Sequence, residues 1–231
     1  MFLPSVLLPG LLCTPRLYAE QLSALWAFGP VTVGDPTRDD SVAGIAQRVL
    51  ANAPPRFALI GLSMGGYVAM EILRQAPERV AKLALLDTTA RPDTPEQTAS
   101  RREMIALARN GRFGEVPERQ YSILVAPLRL SDEDLKRIVR TMAEQVGAEA
   151  FERQQTAIMN RPDSRPGLAA IRCPMLMLVG EQDVLTPPDR AREISSAITG
   201  SRLVTVPHCG HLSALERPAE VTRALVELLQ S

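Results

Sequence analysis

The stretch Phe57-Ala58-Leu59-Ile60-Gly61-Leu62-Ser63-Met64-Gly65-Gly66 decides how this chain is read. Its four consecutive apolar residues suit a strand buried on both faces of a parallel sheet. Gly-x-Ser-x-Gly follows at once, and Tyr67 to Arg74 then carries a helical pattern. A strand, a glycine-framed serine and a helix in that order describe a tight, strained turn that exposes the serine hydroxyl, a nucleophile elbow. Gly61 and Gly65 leave room where Cβ atoms two residues from the serine would collide, and Gly66 lets the helix approach the sheet. The turn also sets the N–H of Met64 at a helix N-terminus, where unpaired donors and the helix dipole favour an anion. A phosphate-binding use of the same glycines is weaker, because G-x-G-x-x-G and the G-K-[ST] ending are both missing. The plainer alternative is that Ser63 caps the helix and does nothing more.

On both sides of this turn, short apolar runs alternate with longer amphipathic segments. Ser5 to Leu8, Val31 to Val33, Val80 to Leu86, Met175 to Val179 and Leu203 to Val206 read as further strands. Helical patterns lie between them, at Arg16 to Leu25, Val42 to Leu50, Asp189 to Ile198 and Ala219 to Leu229. This alternation predicts an α/β fold, a mostly parallel doubly wound sheet with helices on both faces. One region breaks the rhythm. From Pro92 to Pro166 there is no good strand, only helical segments rich in Arg, Glu, Met and Leu, with Ser131-Asp132-Glu133-Asp134 as a capped helix start. The expected organisation is a core built from residues 1–91 and 167–231, with 92–166 inserted as a helical cap, or lid, over the carboxyl edge of the sheet.

Composition narrows the partners. The 231 residues are 45% hydrophobic, with 26 Lys+Arg balanced by 26 Asp+Glu. A neutral, apolar-rich chain argues against disorder, a nucleic-acid partner and an anionic membrane surface. Cys13, Cys173 and Cys209 are odd in number and widely spaced, so neither a disulfide framework nor a structural zinc site is expected. The N-terminus is apolar, but it has no positive side chain before Arg16 and is broken by Pro4 and Pro9. It therefore reads as part of the fold rather than a secretory leader, and the expected location is the cytoplasm. Asp35, Asp39 and Asp40 read as a solvated loop rather than a metal cluster.

A serine hydroxyl is a poor nucleophile until a base takes its proton. The chain has only two histidines, His208 and His211, both in Pro207-His208-Cys209-Gly210-His211 after the last strand. His211 is preferred, on the expectation that Gly210 makes the turn that swings it back toward the sheet edge, while His208 points to solvent or the rim. The base needs a carboxylate to orient it. Asp183 and Asp87 both follow apolar strands. Asp183 keeps the order serine, acid, histidine along the chain, Asp87 is the reserve or a turn cap, and Glu181 ranks third.

These segments resemble the α/β-hydrolase fold family over nearly the whole chain. Leu8-Pro9-Gly10-Leu11-Leu12 is similar to the loop after the family's first core strand, with Pro9 where His is common. The resemblance implies that the N–H of Leu11 joins that of Met64 in an oxyanion hole. Val179 to Asp183 and Gly210 to Pro218 look like the family's acid and histidine loops, and the whole is similar to small bacterial carboxylesterases and lactonases. The expectation is a cofactor-independent hydrolase of small-molecule carboxylic esters, with Ser63, Asp183 and His211 as catalytic residues and no bound metal. Lactone, thioester or carbon–carbon bond hydrolysis, perhydrolysis, and a ligand-binding receptor with a vestigial triad are the alternatives. Arg101, Arg102, Arg109 and Arg112 read mostly as cap surface, with one of them available to meet a substrate carboxylate. Met104, Met142 and Met159 either face the pocket or pack the cap, and packing is preferred.

Overall fold

Every side chain of Phe57–Leu62 is buried, as a strand covered by helices on both faces requires. In the computed structural model, which describes residues 2–231, this strand is β3. The others are β1 (Ser5–Leu8), β2 (Val31–Val33), β4 (Val80–Leu86), β5 (Met175–Gly180) and β6 (Arg202–Val206). They form one sheet in the order β2-β1-β3-β4-β5-β6, and every neighbouring pair is parallel.

Alternation along β3 divides the core in two. Phe57 and Leu59 pack with Ile45, Val68, Ile72 and Ile194 on one face of the sheet. Ala58, Ile60 and Leu62 pack with Leu17, Leu25, Val221 and Leu225 on the other. The first face is covered by α2 (Val42–Asn52), α3 (Met64–Gln75) and α8 (Pro188–Ala197), and the second by α1 (Ala19–Trp26) and α10 (Pro218–Gln230). Each fully buried Leu or Ile contributes about 1.5–3 kcal/mol relative to exposure.

Two boundaries differ from the sequence reading by more than two residues. The segment expected as one helix from Arg16 begins with a separate 3-10 turn, Pro15–Tyr18, capped by Thr14. A proline fits a first helical turn, where its missing N–H costs nothing. Helix α3 starts at Met64 rather than Tyr67, because Gly65 and Gly66 carry no side chains through which a helical pattern could register.

Between β4 and β5 the described chain holds only helices and turns: α4 (Pro95–Leu107), α5 (Glu115–Leu124), α6 (Glu133–Met159) and α7 (Arg165–Leu168). Asp132 caps α6 by accepting from Leu135 N at 2.9 Å. Gly147, at φ 79° and ψ 165°, divides α6 into two helical arms. These helices have a small core of their own, in which Leu107, Val116, Ala143 and Phe151 meet Leu12 of the β1 loop. The short helix α9 (Ser213–Glu216) follows β6. Among the described residues, no helix is long and apolar enough to cross a membrane.

Candidate active site

The loops after β1, β3, β4, β5 and β6 all leave the carboxyl ends of their strands, where open α/β sheets bind ligands. Ser63 occupies the turn after β3 with φ 55° and ψ −115°, a conformation that costs a non-glycine residue about 1–3 kcal/mol. Neighbouring bonds hold it there. Ser63 N donates to Leu86 O at 2.9 Å, and Thr88 Oγ1 donates to Ser63 O at 2.8 Å. A Cβ on Gly61 would come 2.3 Å from Gly65 O, and one on Gly65 would come 2.0 Å from Leu8 O. Ser63 stands at the N-cap position of α3, yet its side chain makes no capping bond. Its hydroxyl lies instead 2.8 Å from His211 Nε2.

His211 continues the chain of contacts, with Nδ1 2.8 Å from Asp183 Oδ2. A carboxylate only accepts, so Nδ1 carries the proton and Nε2 presents its lone pair to Ser63. Asp183 is 2% exposed. Its Oδ1 accepts from the amides of Leu185 (2.9 Å) and Thr186 (3.0 Å), and its Oδ2 accepts from Thr186 Oγ1 at 2.7 Å. Burial works to raise the Asp183 pKa, but the His211 charge and these donors outweigh it and hold the carboxyl below its usual range. Burial likewise disfavours a charged His211, and the adjacent Asp183 carboxylate overrides it, leaving the imidazole pKa above its ordinary value.

His208 is exposed, and Glu181 turns its carboxylate to the His208 amide at 3.2 Å rather than to an imidazole. The expected turn at Gly210 lies elsewhere. The left-handed residue of this loop is His208, at φ 52°, and glycine is needed at 210 because a Cβ there would come 2.5 Å from Ala126 N. The histidine loop is thereby pressed against the end of α5, whose Leu124 O accepts from both His211 N (3.0 Å) and Leu212 N (3.2 Å). Buried Glu216 ties the same parts together, accepting from Ala126 N at 2.7 Å and Gly210 N at 3.0 Å. Burial raises its pKa against the pull of these donors.

Asp87 neither reaches the imidazole nor caps its own turn. Its Oδ1 accepts from Gly180 N at 2.9 Å and its Oδ2 from Ser213 N at 3.4 Å, so it links the ends of β4 and β5 to the segment after His211. Complete burial, reinforced by the negative charge of Asp183, pushes its carboxyl up to about 8.

In the loop after β1, Leu12 takes the left-handed conformation (φ 58°), and its amide donates to Gln154 Oε1 of α6 at 3.1 Å. With that amide engaged, Leu11 is the loop's candidate donor. Leu11 borders, with Ser63 and His211, a cavity of about 210 Å³ that runs up among α4, α5 and α6. Met64 contributes the first N–H of α3, one of the amides that a helix leaves without an internal partner.

A family model described as the alpha/beta hydrolase family matches residues 6–224. The chain belongs to this family. A pimeloyl-[acyl-carrier protein] methyl ester esterase of Nitrosomonas europaea is 28% identical over 193 residues, covering 78% of this chain and 74% of that protein. Among solved structures, a thermophilic esterase from Thermogutta terrifontis with malate bound is 28% identical. It superposes with a TM-score of 0.90 over 99% of this chain and 89% of its own. The enol-lactonase from Burkholderia xenovorans LB400 also reaches 0.90, over 99% of this chain and 92% of its own, at 22% identity. At that identity the likeness is one of fold.

Several site residues of this alpha/beta hydrolase family member escape a sequence reading. Thr186 is foreshadowed only by its place three residues after Asp183, a spacing at which a side chain and the local backbone readily pair. Gln154 has no such signal, because the amide it meets is 142 positions away. Of the four arginines expected at the cap surface, Arg102, Arg109 and Arg112 are exposed, while Arg101 borders the cavity. Met104 packs against the small core of Leu107, Val116 and Phe151, Met142 joins the core on the second face of the sheet, and both border the cavity, which Met159 does not. Asp35 and Asp39 pair with Arg38 and Arg48.

Proposed function

We propose that this protein is a serine hydrolase of carboxylic esters working through an acyl-enzyme. The observation that carries the reading is the pair of 2.8 Å contacts joining Ser63 Oγ to His211 Nε2 and His211 Nδ1 to Asp183 Oδ2. The neutral imidazole accepts the hydroxyl proton as Ser63 Oγ attacks the ester carbonyl carbon. The amides of Met64 and Leu11 stabilise the developing oxyanion, a contribution commonly worth about 3–4 kcal/mol per donor. The imidazolium, stabilised by Asp183, then protonates the departing alcohol. Water, deprotonated by the same imidazole, attacks the acyl carbon and frees Ser63. No step calls for a cofactor.

The esterase relatives support an ester as substrate, and the helices of residues 92–166 serve in this reading as the cap that shapes the acyl and alcohol sites. Gly210, Glu216 and Leu124 lock that cap to the histidine loop, so substrate selection and the catalytic base share one rigid framework.

The test pairs labelling by a fluorophosphonate with turnover of p-nitrophenyl butyrate. Wild type should label at Ser63 and turn the ester over, and Ser63→Ala should do neither, with kcat reduced by roughly four to six powers of ten. Turnover by the Ser63→Ala variant at the wild-type rate would overturn the reading. Labelling without turnover on a broad ester panel would replace it with a ligand-binding receptor.

A further inference from the structure

The cavity above Ser63 carries charged side chains that the acyl-transfer reading leaves unused. Arg161, with its side chain 4% exposed, and Arg101, at 22%, share a single carboxylate, that of Asp93. Arg161 Nη1 meets Asp93 Oδ1 at 2.6 Å, and Arg101 Nε meets Asp93 Oδ2 at 2.6 Å. All three residues border the cavity. One carboxylate between two guanidiniums leaves a positive charge with no counterion in the cavity lining, a charge that a bound anion would neutralise.

Hydrogen bonding shows which guanidinium is available. Arg161 turns Nε and Nη2 to Arg91 O and uses Nη1 on Asp93 and Ile158 O, and its guanidinium stacks 4.2 Å from the centre of the Tyr67 ring. It is a fixed strut. Arg101 engages Asp93 through Nε and, at 3.5 Å, Nη2, and it engages Gln155 Oε1 through Nη1. A guanidinium has five N–H donors, so two of Arg101 remain free, one on each terminal nitrogen. Asp93 and Gln155 hold the group in place, which lowers the entropy lost when it meets a ligand.

We infer that Arg101 is a specificity residue that binds a carboxylate on the substrate, so the preferred substrates are esters or lactones of short dicarboxylic or similarly anionic acids. This inference rests on the serine hydrolase reading for its chemistry but not for its binding. The anion satisfies the two open donors and neutralises the surplus charge, while the ester carbonyl lies at Ser63. Interactions of this charge-assisted kind correspond to roughly tenfold to a hundredfold in selectivity.

The test compares methyl hydrogen succinate, glutarate and adipate with uncharged methyl esters of the same chain length, following acid release in wild type, Arg101→Gln and Arg101→Lys. The readout is the ratio of kcat/KM for the anionic ester to that for its neutral partner, which a general loss of folded enzyme does not move. The ratio should exceed one for at least one length in wild type, fall at least tenfold in Arg101→Gln, and recover in large part in Arg101→Lys. A ratio unchanged by Arg101→Gln, or below one at every length in wild type, overturns the inference. Calorimetric binding of methyl hydrogen adipate to Ser63→Ala, with and without Arg101→Gln, separates the two readings. Arg101-dependent binding without hydrolysis by wild type sinks the esterase reading and keeps the anion site. Hydrolysis of neutral esters without Arg101-dependent binding does the reverse.

Discussion

Asp183 and Asp87 follow neighbouring strands of one sheet and are 2% and 0% exposed, yet only Asp183 touches His211. The two carboxyls are driven in opposite directions. Burial acts to raise both. At Asp183 the imidazole and nearby donors reverse it, whereas at Asp87 the neighbouring carboxylate adds to it and the pKa climbs to about 8. A pair of acids with pKa values pushed apart by their surroundings is a common way for one site to hold distinct roles.

Asp183→Asn should lower kcat on an ester substrate by roughly three to four powers of ten, because an amide facing Nδ1 favours the tautomer that cannot accept from Ser63. Asp87→Asn should stay within about tenfold of wild type, since Asp87 binds backbone amides rather than the ring. Steady-state kinetics on both variants decide the matter. The opposite order would move the acid role to Asp87.

The pH dependence of kcat/KM should show an acid limb set by His211. The imidazole must be neutral to accept the serine proton, and Asp183 stabilises its charged form, so the limb should have its midpoint above the ordinary 6.5 of a histidine. Activity therefore rises with pH through that midpoint. In whatever activity Asp183→Asn retains, the midpoint should move to lower pH. A limb that stays in place would show that another group titrates.

Asp87 also makes a prediction about stability. Its carboxyl is held protonated to about 8 in the folded chain, against an ordinary 3.8 when the chain unfolds. The unfolded state therefore loses this proton first as pH rises, and the stabilisation present below about 4 drains away up to about 8. Asp87→Asn cannot titrate, so its Tm relative to wild type should rise steadily between pH 5 and pH 8 in differential scanning fluorimetry. A constant offset across that window would contradict the buried-acid account.

Gln154→Ala removes the acceptor of the Leu12 amide. An unpaired N–H in this position should destabilise the fold by about 1–3 kcal/mol. The loop carrying Leu11 would then be less well held, so kcat should fall about tenfold with KM changed less. Chemical denaturation and steady-state kinetics of the one variant read both effects, and an unaltered kcat would show that the brace does not act through the Leu11 loop.

Much of the architecture is readable along the chain because its causes are local. Phe57–Leu62 is apolar on both faces and so belongs at the centre of a parallel sheet. Gly61 and Gly65 frame Ser63 because Cβ atoms there would strike Gly65 O and Leu8 O. With two histidines in the chain and acids ending two strands, Ser63, His211 and the two candidate acids Asp183 and Asp87 could be named before any distance was known. The purpose of Gly210 could not. It is set by the approach of Val125 and Ala126, which belong to a segment far away along the chain.

What the amino-acid order determined by itself, then, was the strand-turn-helix around Ser63, the alternating elements that build the sheet, and a short roster of reactive groups. These follow from side-chain periodicity and from steric limits within a few residues. Tertiary structure alone decided that Asp183 rather than Asp87 meets His211, that Gln154 braces Leu12, and that Arg101 lines the cavity while Arg102 faces solvent. Hydrogen bonds and charge neutralisation act over about 3 Å, and only the packed chain brings to that range residues 28 positions apart, as Asp183 and His211 are, or 142 apart, as Leu12 and Gln154 are.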